Sequence, residues 1–496
     1  MRAEMARGAA WMVLFRLFDR SIGIVSTTLL ARLLLPADFG LVAMAMSVIA
    51  VIELATAFSF EVALIQKADP RREDFDTAWT LNVLISIGGA LLTVALAQPA
   101  ATFYGDPRLT AVMLAIGAAW LVSGFENIGT VNFRRTMDFG AEFRFLASKR
   151  VIAFAVTISA ALAFQSYWAL VIGMTTSRLA GLALSYSMQP FRPRFSLASA
   201  RDLFSFSGWL LASNIATVLL QRVPHFFVGR AFGAQTLGAY SVASEIAHLA
   251  HTELVAPLNR AMFPGYSRLV AKPELFRRVC TEATAAILLV VLPVTFAIVL
   301  FAQPIVRVLL GPQWGEAVPI IRILALAGAV SAVTSNNLAA YLALGRPRAP
   351  TLIIVARLLL FLGLVFALSG RSVSGIAFAE LLAALGSMLV SLPMLLHALR
   401  LRFAEYLSSL WRPVVAAFAS AVCVYFLLRT GSEGGSMAVA VGQLMIGLPA
   451  GLIVYATLVW GLWRMAGRPE TVEALIGRRL VSAISGQLAR FTRGAT

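Results

Sequence analysis

Apolar stretches of about twenty residues, each long enough to cross the ~30 Å hydrocarbon core of a bilayer as a helix, recur along the whole chain. Short charged or Gly/Pro-marked breaks separate them. Fourteen can be bounded: 8–33, 40–66, 77–103, 108–133, 143–165, 167–190, 204–230, 236–264, 279–303, 317–343, 350–369, 372–399, 408–428 and 437–464. None alternates polar and apolar residues as a barrel strand must, and a helix satisfies its own backbone in lipid. The pattern therefore predicts an all-α polytopic membrane protein of about fourteen transmembrane helices.

An internal repeat organises the first twelve segments. Residues 31–41 align at a constant offset of 198 with residues 229–239, and at that offset Trp11 meets Trp209, Arg32 meets Arg230 and Gly40 meets Gly238. The register carries from one helix into the next. It predicts two six-helix lobes of like orientation, residues 1–200 and 201–403, related by a pseudo-two-fold axis along the membrane normal. Two additional spans fill 404–464. In the tail, 465–496, Val472, Ile476, Leu480, Ile484, Leu488 and Phe491 recur at nearly every fourth position beside Arg478, Arg479, Arg490 and Arg493, as in a helix lying on an anionic cytoplasmic leaflet.

Composition adds orientation. The chain is 59% hydrophobic and 13% charged, and its 41 Lys and Arg against 24 Asp and Glu give a net charge of +17. Basic residues accumulate on cytoplasmic loops. With the N-terminus inside, most of them fall on alternate loops, among them Lys67, Arg71 and Arg72, then Arg134, Arg135, Arg144, Lys149 and Arg150. Both termini are then cytoplasmic, and the excess charge needs no nucleic acid as partner. No polar segment is long enough for the catalytic domain of a membrane-embedded glycosyltransferase or polymerase, so an enzyme is not expected. Cys280 and Cys423 lie far apart, without metal-ligand spacing or a disulfide framework.

Apart from the basic residues counted with the loops and span ends, five arginines stand within spans: Arg16, Arg20, Arg178, Arg222 and Arg357. An arginine at the bilayer centre costs about 2.5 to 3.5 kcal/mol, so such groups face the bundle interior or a water-filled cavity. On the first helix Arg16, Asp19 and Arg20 share a stripe that runs on through Gly23 and Thr27. Asp19 can offset one of these arginines but not both. The surplus points to an anion held in a cationic cavity; interhelical hydrogen bonding is the plainer role for each residue singly. Glu53, Glu61, Glu126, His225, Glu245, His248, His251, Glu253 and Glu380 also lie within spans. Glu245, His248 and His251 recur every three residues and share a helix face, which suits a protonatable relay better than a metal site. Candidate coupling or gating residues are therefore Asp19, Glu53, His225, Glu245, His248 and His251, with H+ or Na+ as the ion and no other cofactor. Pro224 falls mid-span and predicts a bend in the seventh helix.

Several segments resemble those of Wzx-type polysaccharide-export flippases of the multidrug, oligosaccharidyl-lipid and polysaccharide (MOP) exporter superfamily. They are Ala31 to Ala43 (ARLLLPADFGLVA), Ala63 to Lys67 (ALIQK), Phe191 to Ser196 (FRPRFS), Val228 to Ser241 (VGRAFGAQTLGAYS) and Phe263 to Leu269 (FPGYSRL). The resemblance covers the first twelve spans. It implies alternating access by two six-helix lobes around a cationic cavity that receives a lipid-linked oligosaccharide, usually on undecaprenyl pyrophosphate, in the bacterial inner membrane. Membrane lipids and polysaccharide polymerase machinery would be its neighbours. One departure stands out: where relatives often carry an Asp in helix 7, this chain has Pro224, beside His225, so a coupling role does not transfer to that position. A cation-coupled multidrug exporter of the same superfamily would want an acidic cavity, which the five arginines oppose. A non-transporting subunit of an export complex is the other alternative.

Overall fold

The computed structural model describes residues 2–55, 60–67, 69–200, 208–346, 348–368, 372–429 and 437–467. The amphipathic pattern expected in the tail begins beyond residue 467 and lies outside the described residues. Among the described residues every regular element is a helix. Ten helices are long and apolar enough to cross a membrane, or eleven if Arg108–Gly124 and Ile128–Arg135, bent by 65°, form one broken span. The first helix stands outside that count because Arg16, Asp19 and Arg20 interrupt its apolar length.

One compact unit comprises Met1–Ser241 with Leu309–Trp314. It contains α1 (Arg2–Leu33), α2 (Pro36–Ala55), α3 (Phe60–Gln66), α4 (Arg72–Tyr104), α5 (Arg108–Gly124), α6 (Val131–Arg135), α7 (Phe139–Phe164), α8 (Trp168–Met188) and most of α9 (Gly208–Ala247). Helix ends carry side chains suited to their exposed backbone groups. Asp74 in the first turn of α4 accepts from the Arg71 amide and from Lys67 Nζ, both at 2.8 Å, the acidic N-terminal arrangement that satisfies unpaired amides. After α4 the chain turns through Gly105 (φ 73°). Asp106 then accepts from Arg108 at 2.7 and 3.0 Å, which holds its carboxyl below the ordinary aspartate range.

The segments that carry the family resemblance prove to be joints. Asp38 accepts from the Leu35 amide and from the Tyr167 amide, each at 2.9 Å, and so staples the α1–α2 turn to the α7–α8 turn. The Ala31 carbonyl accepts from Trp314 Nε1 (2.9 Å) and Gln313 Nε2 (2.7 Å). The FRPRFS stretch runs extended along the start of α4: the Arg194 amide donates to Asp76 (2.9 Å), the Ser196 amide to Thr80 (3.0 Å), and Asn127 Nδ2 to the Phe191 carbonyl (2.7 Å).

Two of the glycines at the offset of 198 meet in backbone packing. A Cβ on Gly40 would overlap the Ala234 carbonyl oxygen, and a Cβ on Gly238 would overlap the Pro36 carbonyl oxygen. Pro36 and Ala234 are themselves related by the offset of 198, so the contact is reciprocal, as a two-fold relation requires. The helical path breaks at Gly233 (φ 79°, ψ −177°), the counterpart of Leu35 in the α1–α2 break. Only glycine adopts that conformation cheaply. This places the interruption of α9 at Gly233, whereas Pro224 sits in helical backbone.

The second unit comprises Val242–Val308 with Gly315–Thr496. A π-helical turn, His251–Val255, leads into α10 (Ala256–Leu269), α11 (Pro273–Leu300), α12 (Ala317–Ser335), α13 (Asn337–Ala343), α14 (Arg348–Leu368), α15 (Val373–Leu399), α16 (Phe403–Arg429) and α17 (Met437–Met465). Its core joins Leu288 and Val291 of α11 to Ala332, Leu410, Ala417 and Tyr455. Tyr455 donates to the Leu289 carbonyl at 2.8 Å and Ser420 to the Gly451 carbonyl at 3.0 Å, so the two C-terminal helices are bonded to each other and to α11. Tyr266 of FPGYSRL is buried and donates to Asn336 at 2.9 Å.

Candidate functional site

In the first unit α1, α2, α7, α8 and α9 line an open cavity of about 660 Å³, within the size range of ligand pockets. Gly173 on α8 lets α7 approach, since a Cβ there would overlap the Thr157 hydroxyl. Apolar wall comes from Ile22, Phe39, Val42, Met46 and Phe154; Ser26, Thr157, Ser177 and Ser241 add hydroxyls. Four cationic side chains project among them: Lys149, Arg150, Arg178 and Arg222.

Three of the four have acidic or hydroxyl neighbours. Lys149 Nζ lies 3.4 Å from Glu126 Oε2. Gly181 provides the floor of this pair, because a Cβ there would come within 2.7 Å of Lys149 Nζ. Arg150 Nε lies 3.0 Å from Asp19 Oδ1, with Gly23 of α1 leaving room for the guanidinium. Arg178 Nη1 donates to Ser123 Oγ at 2.9 Å, and Glu53 and Glu126 are within Coulombic reach. Arg222 has no carboxylate partner among the described residues. His225, on the same wall, stands edge-on to Tyr240 with ring centroids 5.5 Å apart. A space with several guanidinium and ammonium donors and few carboxylates attracts anions, and the planar guanidinium fork matches phosphate oxygens in pairs.

Of the five arginines singled out in the sequence, Arg178 and Arg222 line this cavity. Arg16 is exposed and Arg20 half-buried on α1. Arg357 belongs to the second unit, within Coulombic reach of Glu380 and His251. There His248 Nε2 lies 3.7 Å from Glu380 Oε1, while Glu245 is exposed. One expectation is corrected and another extended. Lys149 and Arg150, counted with a basic loop although the 143–165 segment contains them, are on α7 well past its first turn. Asp19, expected to offset Arg16 or Arg20, also has a partner on another helix, Arg150. The signal that would have placed α7 is Asp138, which accepts from the Ala141 amide at 3.0 Å as an N-cap, followed by Glu142 in the first turn. Among the described residues no three His, Cys, Asp or Glu side chains converge as a metal would require.

Comparison with known proteins agrees with this architecture. Residues 29–319 match the family model described as polysaccharide biosynthesis protein. The succinoglycan biosynthesis transport protein ExoT of Rhizobium meliloti is 24% identical over 465 residues, covering 92% of each chain. The lipopolysaccharide biosynthesis protein WzxC of Escherichia coli is 21% identical over 86% of this chain and 88% of its own. The teichuronic acid biosynthesis protein TuaB of Bacillus subtilis is 23% identical over 87% and 89%. Among solved structures, the lipid II flippase MurJ in an inward closed conformation superposes with a TM-score of 0.72 at 12% identity, over 92% of this chain and 99% of its own. An inward-facing multidrug resistance MATE transporter of the MOP superfamily gives 0.58 at 16% identity, over 77% and 95%. The fold is thus the one these two transporters share, and the chain belongs to the polysaccharide biosynthesis protein family.

Proposed function

We propose that this protein is an alternating-access flippase that carries a polyprenyl-pyrophosphate-linked oligosaccharide from the cytoplasmic to the periplasmic leaflet of the inner membrane, for exopolysaccharide or lipopolysaccharide synthesis. The observation that carries the reading is the cavity of about 660 Å³ walled by Lys149, Arg150, Arg178 and Arg222. A diphosphate is the anion a lipid-linked sugar presents, and undecaprenyl is the expected lipid. Arg178 and Arg222 take its oxygens; Lys149 and Arg150, held by Glu126 and Asp19, set the surrounding field. The hydroxyls of Ser26, Thr157 and Ser177 face the first sugar, while the polyprenyl chain stays in lipid. Affinity is moderate by design, because cargo must leave on the far side, and carboxylates paired to two of the four cations keep the field from becoming a trap. Arg16 and Arg20 extend the cationic stripe along α1. Both termini lie in the cytoplasm, no reaction is catalysed, and H+ or Na+ drives the cycle.

The test is a strain lacking this protein, complemented with wild type, Arg178→Ala, Arg222→Ala and Arg222→Lys at matched membrane levels. Wild type restores surface polysaccharide. The alanine variants leave lipid-linked oligosaccharide on the cytoplasmic leaflet. Normal export by both alanine variants contradicts the reading.

A further inference from the structure

The second unit holds a cluster of ionisable groups that the cavity does not use. His248 follows the last residue of α9, Arg357 is on α14 and Glu380 on α15. His248 Nδ1 lies 2.8 Å from the Ser244 carbonyl oxygen. A carbonyl only accepts, so Nδ1 carries the ring hydrogen and Nε2 is the nitrogen that titrates. That nitrogen faces Glu380 Oε1 at 3.7 Å. Glu380 is also the carboxylate within Coulombic reach of Arg357, whose Nε is buried without a hydrogen-bond partner among the described residues. Arg357 lies roughly 14 and 16 Å of helix from the two ends of α14, at mid-depth in a bilayer.

His251, in the π-helical turn, is within Coulombic reach of both His248 and Arg357. Glu245 and Glu253, on the same stretch of chain, are exposed. Where α11 and α12 pack against the turn they supply Leu288, Val291 and Ala332, which join Val255 in the core.

We propose that His248 and Glu380 form the proton-binding site of the transport cycle, and that Arg357 is the group that responds to its occupancy. With His248 neutral, Glu380 serves as counter-ion to Arg357. A proton that adds to the Nε2 lone pair forms one N–H bond and breaks none in the protein, and the cluster gains one positive charge. Imidazolium and guanidinium then compete for a single carboxylate, so the hold of α15 on α14 weakens as the proton binds. Protonating His251 as well would add a third cation within Coulombic reach of His248 and Arg357, which their mutual repulsion opposes. The site therefore takes one proton. This deepens the flippase reading and rests on it for its role in transport, but the site itself is tested without it.

The chain has four histidines, few enough to follow each ring by 15N NMR in the purified full-length protein, assigned with single His→Gln variants. The expected result is a neutral His248 ring protonated at Nδ1, whose titration responds both to Glu380→Gln and to Arg357→Gln. A ring protonated at Nε2, or a midpoint indifferent to both substitutions, overturns the proposal. In proteoliposomes with a short-chain polyprenyl diphosphate disaccharide, an imposed pH gradient raises the wild-type flipping rate. In His248→Gln and Glu380→Gln the ratio of rates with and without the gradient falls to near one. A wild-type ratio in both variants overturns the coupling role. If wild type does not move the probe, the flippase reading fails, and the NMR titration still decides whether the proton site exists.

Discussion

At the scale of single residues, the cavity rests on four cations with unequal surroundings. Arg178 is tied to Ser123, and Arg222 has no carboxylate partner among the described residues. Losing a charge-assisted hydrogen bond to an anion costs about 1.5 to 3 kcal/mol, so Arg222→Ala is expected to reduce export roughly 10- to 100-fold, measured as surface polysaccharide per unit of membrane protein. Arg222→Lys retains part of it, because a point charge replaces the planar fork. Arg150 and Asp19 behave as a pair: either alanine variant alone leaves an opposed charge at membrane depth, and the double variant accumulates in the membrane better than Asp19→Ala does. Equal levels in singles and double would show the pair to be idle. The sequence made Arg178 and Arg222 legible because each stands alone in an apolar run, where a charge needs a reason. Lys149 and Arg150 were illegible for the opposite cause, since they adjoin basic residues that do mark a cytoplasmic loop.

At the scale of elements, the fold depends on breaks as much as on helices. The reciprocal contacts of Gly40 with Ala234 and of Gly238 with Pro36 bring backbone against backbone, and neither neighbour can yield as a side-chain tip would. Gly40→Val and Gly238→Val are expected to destabilise by at least the ~1 to 3 kcal/mol of an overpacked core. A thermal-unfolding series in detergent checks this, and an unchanged midpoint would refute it. Asp38→Ala removes acceptors from two amides at once and is expected to lower the same midpoint, with Asp38→Asn intermediate. The repeat was readable from Gly40 and Gly238 at their common offset, because close backbone approach tolerates only glycine. The break at Gly233 was bracketed by the gap between the seventh and eighth segments. The break in helical backbone falls at Gly233, where φ 79° cannot be helical, while Pro224 keeps helical backbone. The π-helical turn at His251–Val255 was not foreseeable, because no residue type announces an extra backbone residue per turn.

At the scale of the whole molecule, periodicity and charge asymmetry sufficed for the class of fold, and the match to MurJ over nearly the full chain agrees. A count by hydropathy is harder, since a helix such as α1 carries charges that interrupt its apolar length. The basic loops predict the orientation. In a background lacking Cys280 and Cys423, single cysteines at Asp138 and Gln165, at the two ends of α7, should react with impermeant reagent from opposite sides, the first from the cytoplasm and the second from the periplasm. Reaction of both from one side would overturn the assigned topology. The candidate site was less legible than the fold, because it is assembled from five helices whose rotations no single segment discloses.

The central claim is that the cationic cavity recognises the diphosphate of a lipid-linked sugar and moves it across the bilayer. It is tested most directly by flipping in proteoliposomes that contain only the purified protein, comparing a fluorescent polyprenyl diphosphate oligosaccharide with a neutral glycolipid bearing the same sugar. The account predicts that wild type moves the diphosphate substrate and leaves the neutral one in place, and that the double variant Arg178→Ala/Arg222→Ala moves neither. Equal transport of both lipids, or undiminished transport by the double variant, would contradict it.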